Sequence, residues 1–272
     1  TGAELGVGRR VPSGQVKVGG KTDHAGKVVR FWPDPQIFPD TKFDREVIQR
    51  RLREMAYLNK RLEIALADEN LGFTNTFYFE GGIVSFVRAL NRDKAVINPH
   101  PFYVDRDVEG TQVEIALQYN DSFVENVLAF ANTIHTIEGG SHLTGFRSSL
   151  TNVLNRYARK AGILKEQDPN LSGEDVREGL TAVISVKVLD PQFEGQTKGK
   201  LGNAEVQGHV SIALTEGMTQ YLAENRGDGR RLVEKSRHPA RARTAPRQPG
   251  DLPPHTRPLA ASTPPSVLHA PP

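Results

Sequence analysis

Between an alternating apolar segment, Thr181 to Leu189, and a helical pattern that begins near Glu205 lies the run DPQFEGQTKGKLGN, Asp190 to Asn203. Its glycines at 195, 199 and 202 surround Gln196, Lys198 and Lys200, with Phe193 and Leu201 the apolar side chains available to anchor the segment. A mobile loop of this kind, with Gln196 and Lys198 near its tip, is suited to reach an anion. The Lys198 ammonium is a flexible point charge, and the Gln196 amide can donate to a second oxygen. An ordinary solvated loop is the plain alternative. The pattern is not a phosphate-cradling G-x-x-x-x-G-K-[ST] loop, because Lys200 is followed by Leu201. Lys200 reads as a second solvated charge or a partner for Asp190 or Glu194.

Other polar residues offer less. His142 and Arg147 flank the first turns of a long helical pattern, where anions are favoured, but a helix-end hydrogen bond is the simpler role for His142. Glu80 and Glu138 each precede a Gly-Gly pair, placing a carboxylate near a helix start. Glu174, Asp175, Arg177 and Glu178 form a charge run that reads as capping and ion pairing. The eight histidines lack metal-ligand spacing, and there is no cysteine. Nothing in this set stands out as a general base.

The elements that must position the loop follow from periodicity. Val16–Val18 and Lys27–Phe31 read as short strands, and Trp32-Pro33-Asp34-Pro35 ends regular structure. Asp44 caps a helix with Val47, Ile48, Leu52, Met55 and Ala56 on its inward stripe, Met55 in the core. Arg50, Arg51 and Arg53 lie mostly off that stripe. Leu62, Ile64 and Leu66 mark a strand, and a second ends at Tyr78–Glu80. Gly81-Gly82 then turns into a helix facing inward with Ile83, Phe86, Val87 and Leu90. Val113–Tyr119 and Val124–Ile134 read as a hairpin of long strands. Ser141 is expected to cap a helix carrying Leu143, Phe146, Leu150, Val153, Leu154, Tyr157 and Ala161 inward, stopped by Gly162. Ser172 can cap a short turn, and a last helix spans Glu205–Glu224. The sum is an α/β, two-layer sandwich (α+β).

The formal charge of +3 suggests nucleic acid, yet the segment from Arg237 onward carries five arginines and one aspartate, or +4. The remainder is therefore about −1, and DNA contact would need a local patch. Ten prolines in the 36 residues 237–272 and no apolar period predict a disordered tail. Residues 1–14 read as a ragged end or junction, and 15–236 as one body. No apolar run is long enough to span a membrane, and the lack of cysteine agrees with a cytoplasmic location.

Several segments in fixed order resemble one family over roughly residues 15–235. They are FWPDPQIF (31–38), RRLREMAYLNK (50–60), YFEGGIVSFVRALN (78–91), VEIALQYNDSF (113–123), EGGSHLTGFRSSLT (138–151) and GEDVREGLTAVISVK (173–187), continuing into the loop. Together they resemble the second, transducer domain of the ATPase subunit of bacterial type IIA topoisomerases, the DNA gyrase B family. Topoisomerase IV B subunits share these motifs. The resemblance implies a ribosomal protein S5 domain 2-like fold with helices on one face of a mostly antiparallel sheet. It implies that Gln196 and Lys198 contact the γ-phosphate of ATP in a neighbouring GHKL domain, with Lys198 as the transition-state cation. ATP, Mg²⁺, the gyrase A subunit, duplex DNA and a second B subunit are implied for the intact enzyme. The chain alone is expected to be monomeric, to bind no cofactor and to be inactive. A GHKL domain is expected upstream. The family continues into a TOPRIM domain that the tail does not resemble, so a reading-frame disruption or truncated gene is the expected account of residues 237–272. A stand-alone nucleic-acid-binding module using Arg50, Arg51, Arg53 and the Lys198/Lys200 loop is the alternative.

Overall fold

The computed structural model describes residues 32–69 and 71–244, residues 21 and 25–30, and four two-residue strands near the start, with side chains to residue 237. These strands are β1 (Ala3–Glu4), β2 (Val7–Gly8), β3 (Val11–Pro12) and β4 (Lys17–Val18). They form two antiparallel pairs, β1 with β4 and β2 with β3. Residues 27–30 form no strand, contrary to the sequence expectation. The chain divides into two compact units, Thr1–Ile48 and Gln49–Pro272. In the first, Asp44 accepts from the Glu46 and Val47 amides at 2.9 and 3.1 Å and starts α1 (Arg45–Leu58).

The second unit is built on a five-stranded sheet. Its strands are β7 (Phe102–Val108), β8 (Thr111–Tyr119), β9 (Asn126–Ala131), β10 (Ile134–His135) and β12 (Leu180–Lys187), in the order β10-β9-β12-β8-β7. The expected hairpin of β8 with β9 does not form. Strand β12 inserts between them, antiparallel to β8 and parallel to β9. Strand β7 was not legible as a strand, because Asp105-Arg106-Asp107 breaks its apolar character. It joins β8 through Glu109-Gly110, both at positive φ, the geometry of a two-residue hairpin turn.

Alternation along the strands gives the sheet two apolar faces. Val113, Ile115 and Leu117 on β8, with Ala182, Ile184 and Val186 on β12, face α3 (Ser141–Lys160) and α5 (Ala204–Glu224). Ala116, Phe130 and Val183 face the other way and pack with α2 (Gly82–Leu90) and with Tyr57 and Leu58 at the end of α1. Helices therefore cover both faces, not one. The continuous burial of β12 from Leu180 to Val186 is the physical reason: a strand apolar on both sides must be covered on both sides. Tyr57 stacks between Phe79 and Phe86, with ring centroids 3.7 and 4.6 Å away. Met55, expected in the core, is only half-buried, and Val47 is exposed.

Two strands precede α2, as expected, and pair as a small hairpin, β5 (Ile64–Asp68) with β6 (Phe73–Phe77), but Leu62 lies exposed ahead of β5 and the second strand ends at Phe77, short of Tyr78–Glu80. The short helix α4 (Gly173–Arg177) opens on a capping box between Ser172 and Asp175. Ser141, by contrast, does not cap α3. Gly140 occupies that position, and the Ser141 hydroxyl is buried without a partner among the described residues. The last helix, α6 (Arg226–Thr244), runs past residue 236, so eight residues assigned to the tail are helical. Residues 245–272 lie outside the described residues. Among the described residues, no helix is long and apolar enough to cross a membrane.

Candidate functional site

The predicted loop is a β-hairpin. Strands β13 (Phe193–Glu194) and β14 (Lys200–Leu201) pair antiparallel, Phe193 opposite Leu201 and Glu194 opposite Lys200. Leu201 is buried and Phe193 packs on the main core, the two anchors the sequence suggested. Between the strands the chain turns with Gly195 at φ +73° and Lys198 at φ +55°, and the Lys198 amide donates to the Gly195 carbonyl at 3.3 Å. Gln196 and Lys198 are both exposed. The Lys198 ammonium lies 5.8 Å from the centre of the Phe193 ring and has no carboxylate partner among the described residues. Lys200 differs. Its ammonium sits 3.0 Å from Glu194, which neutralises it.

The hairpin's foot is held more firmly than its composition suggests. Asn203, almost fully buried, accepts from the Gln192 amide at 2.7 Å and donates to the Asp190 carbonyl and to Glu205, at 3.2 and 2.8 Å. The Gly202 amide bonds the Gln192 carbonyl at 2.7 Å. Asn203 carried no expected role beyond ending the loop run, so this clamp emerges only from the fold. Its place at the start of α5 was the one available signal.

A second attachment comes from the segment ahead of α3. Strand β11 (Gly139–Gly140) pairs in parallel with β14, Gly139 opposite Lys200 and Gly140 opposite Leu201. The Glu138 amide donates to the Gly199 carbonyl at 2.9 Å. The Glu138 side chain lies against Gly199, where a Cβ would come within 2.9 Å of its carboxylate. So Glu138 touches the hairpin, in addition to preceding a helix start.

His142 is fully buried, with Nε2 at 3.0 Å from the Thr136 hydroxyl and Nδ1 without a partner among the described residues. Burial lowers its pKa to about 4, so the ring is neutral near pH 7. Arg147 forms no pair with it. Its guanidinium bonds Glu125 at 2.7 and 3.0 Å, and Arg177 takes the other Glu125 oxygen at 3.0 Å. The charge run around Arg177 thus serves capping and pairing, as expected.

The arginines of α1 do not form an unpaired basic face. Arg51 pairs with Glu54 at 3.3 Å and bonds the Thr133 carbonyl, and Arg53 lies over the Phe77 ring. Two polar clusters escaped sequence reading. Lys60 lies 2.8 Å from Glu114, and both contact the Tyr103 hydroxyl. Asn91, Gln118, Asn120 and Thr181 form a buried network that joins the end of α2 to β8 and β12. Among the described residues, no group of three or more His, Asp or Glu side chains could hold a metal ion.

A family model described as DNA gyrase B matches residues 82–251. The DNA gyrase B protein of Clostridium acetobutylicum is 52% identical over 237 residues, covering 87% of this chain and 37% of that protein. The chain thus spans well under half of that relative's length. Among solved structures, the 43K ATPase domain of Thermus thermophilus gyrase B, in complex with an aminocoumarin, superposes with a TM-score of 0.77 at 34% identity, over 89% of this chain and 66% of that one. A topoisomerase IV ATP-binding domain of Francisella tularensis, in complex with a small-molecule inhibitor, gives a TM-score of 0.72 at 25% identity over the same shares.

Proposed function

The chain belongs to the DNA gyrase B family, and on that premise we propose that it is the transducer segment of the ATPase subunit of a type II DNA topoisomerase, with a ribosomal protein S5 domain 2-like fold. In this reading it couples ATP binding and hydrolysis to DNA strand passage and supercoiling. Gln196 and Lys198 bind the γ-phosphate of a nucleotide held by the ATPase domain, and the movement passes through the body to the DNA-cleaving part of the enzyme. The gyrase A subunit, duplex DNA and a second B subunit are the partners of the whole enzyme.

One observation carries the proposal. Lys198 stands exposed at the tip of a hairpin clamped at its foot, while its neighbour Lys200 is neutralised by Glu194. An exposed cation with no counter-ion among the described residues, carried on a clamped hairpin beside the amide donor of Gln196, suits the oxygens of a transferring phosphoryl group. Mg²⁺ would supply charge neutralisation on the phosphates when bound. The described residues bring together no carboxylate set for it, so its ligands are assigned outside them. The stand-alone nucleic-acid module is disfavoured by the pairing of Arg51 with Glu54 and of Lys200 with Glu194.

The test is ATP turnover by this chain fused behind the ATPase domain of a gyrase B relative. Lys198→Ala should cost about 10²–10³ in rate, the usual loss on removing one charge-stabilising donor. Lys198→Arg should restore part of it, since a planar fork replaces a compact ammonium poorly. Near-full turnover in the alanine variant would refute the assignment.

A further inference from the structure

We propose that His142 is a positioning residue for the Lys198 hairpin, acting through Thr136 and the strap of residues 136–140. Its bearing on nucleotide sensing rests on the reading above; its effect on the hairpin does not.

The hydrogen bonds fix the direction of the tether. The Thr136 hydroxyl donates its single proton to the Ala129 carbonyl at 2.9 Å, and the Thr136 amide bonds the same carbonyl at 2.9 Å. The hydroxyl can therefore only accept from His142 Nε2, which assigns the proton to Nε2 and leaves Nδ1 as a bare acceptor. A buried imidazole with one nitrogen unsatisfied is costly compared with an apolar ring. Its neighbours along α3, Phe146 and Leu150, are apolar and fully buried. The one polar task the ring performs is to hold Thr136.

From Thr136 the path to the hairpin is short and stiff. The Gly139 amide bonds the Thr136 carbonyl at 2.9 Å and closes a turn. Glu138 then bonds Gly199, the residue after Lys198, and β11 lies along β14. There is no slack in this contact. A Cβ on Gly140 would meet the Leu201 backbone oxygen at 2.4 Å. The Asn203 clamp fixes the foot of the hairpin, so the strap is what supports the side nearer its tip. Without the His142 bond Thr136 keeps only its two bonds to Ala129 and loses its tie to α3, which should be felt at Glu138, Lys200 and Leu201 before it is felt in the sheet.

Residue-resolved amide hydrogen exchange on the 272-residue chain tests this. His142→Phe keeps a ring and removes the donor, while His142→Gln returns a side-chain N–H. Exchange at Glu138, Lys200 and Leu201 should be about tenfold faster in the phenylalanine variant, the effect of one lost hydrogen bond. It should be near the parent value in the glutamine variant, with Ala182 and Ile184 of β12 unchanged in both. Equal exchange in the phenylalanine variant and parent would overturn the proposal. So would an increase shared with β12, or a glutamine variant no different from phenylalanine. If His142→Phe does not fold, His142→Leu, which is smaller and also lacks a donor, takes its place against His142→Gln. Full turnover after Lys198→Ala in the fused enzyme would refute the sensor reading and leave the exchange result standing.

Discussion

Gly140→Ala should be among the most damaging single-methyl additions to this chain. Gly140 has φ 137° and ψ −169°, a region that only glycine occupies readily. Forcing alanine into it costs about 1–3 kcal/mol. The new Cβ would also fall 2.4 Å from the Leu201 oxygen and 2.5 Å from its nitrogen. Those atoms are backbone of β14 and can move only if the strand moves, which adds about 1–3 kcal/mol by analogy with overpacked cores. The sum is about 2–6 kcal/mol. Two other glycines separate the terms. Gly110 has φ +81° with nothing within 4 Å of an added Cβ, so Gly110→Ala carries backbone strain alone, about 1–2 kcal/mol. Gly208 lies inside α5 with open space around it, so Gly208→Ala should stabilise by about 0.5–1 kcal/mol. Urea unfolding of the three variants, with the slope checked for two-state behaviour, gives the ranking. If Gly140→Ala costs no more than Gly110→Ala, the close contact of β11 with β14 is not as rigid as argued.

Three further outcomes follow from the same geometry. Burial lowers His142 from its usual 6.5 to about 4, so between those pH values the unfolded chain takes up a proton that the folded chain refuses. This contribution is complete above pH 6.5 and is lost as pH falls towards 4, about 3 kcal/mol in all; urea titrations across that range should show a shallower fall in His142→Gln. Glu125→Gln removes the charge shared by Arg147 and Arg177, pairs that are part-exposed, so it should destabilise by about 1 kcal/mol in dilute buffer and less in 1 M salt, read as a change in urea midpoint. Lys198 holds a left-handed backbone, so Lys198→Gly should be equal to the parent or up to about 1 kcal/mol more stable, while Lys198→Ala stays within about 0.5 kcal/mol; calorimetric Tm values showing a marked loss in the glycine variant would contradict the backbone assignment.

The sequence made legible those features that repeat locally. The inward faces of α2, α3 and α5 follow the 3.6-residue period, and Ile83, Phe86, Leu150 and Val210 are buried as that period requires. The Ser172 box and the Phe193 and Leu201 anchors were equally local. What stayed hidden depends on partners far along the chain. That β12 enters between β8 and β9 cannot be read from either strand, because alternation fixes faces and not neighbours. Asn203 marked only the end of the loop run, yet its side chain ties Gln192 to Asp190. The helix-end hydrogen bond expected of His142 does form, but its partner, Thr136, could not be named from the sequence. The hydrogen bonds at the foot of the loop stayed hidden for the same reason: glycine content reports the freedom of an isolated chain, not the bonds the folded chain supplies at the loop's ends.

Close backbone contacts also decide how the hairpin could move. On Gly145 of α3, a Cβ would meet the Gln207 oxygen of α5 at 2.4 Å, and on Gly217 of α5 it would meet Val104 of β7 at 2.9 Å. Helix α3, helix α5 and strand β7 are therefore in contact at distances where a slide of one past another meets hard atoms. Gly140 extends that chain of contacts from the start of α3 to β14. Flexing the hairpin alone would break the Glu138–Gly199 bond, the β11–β14 pairing and the Asn203 clamp together, each of them hydrogen bonding with little exposed slack. Rotating the body as a unit breaks none of them. On the proposed reading, a pull at Lys198 would therefore be carried into α3 and α5 as rigid-body motion, one of the recognised modes of domain movement.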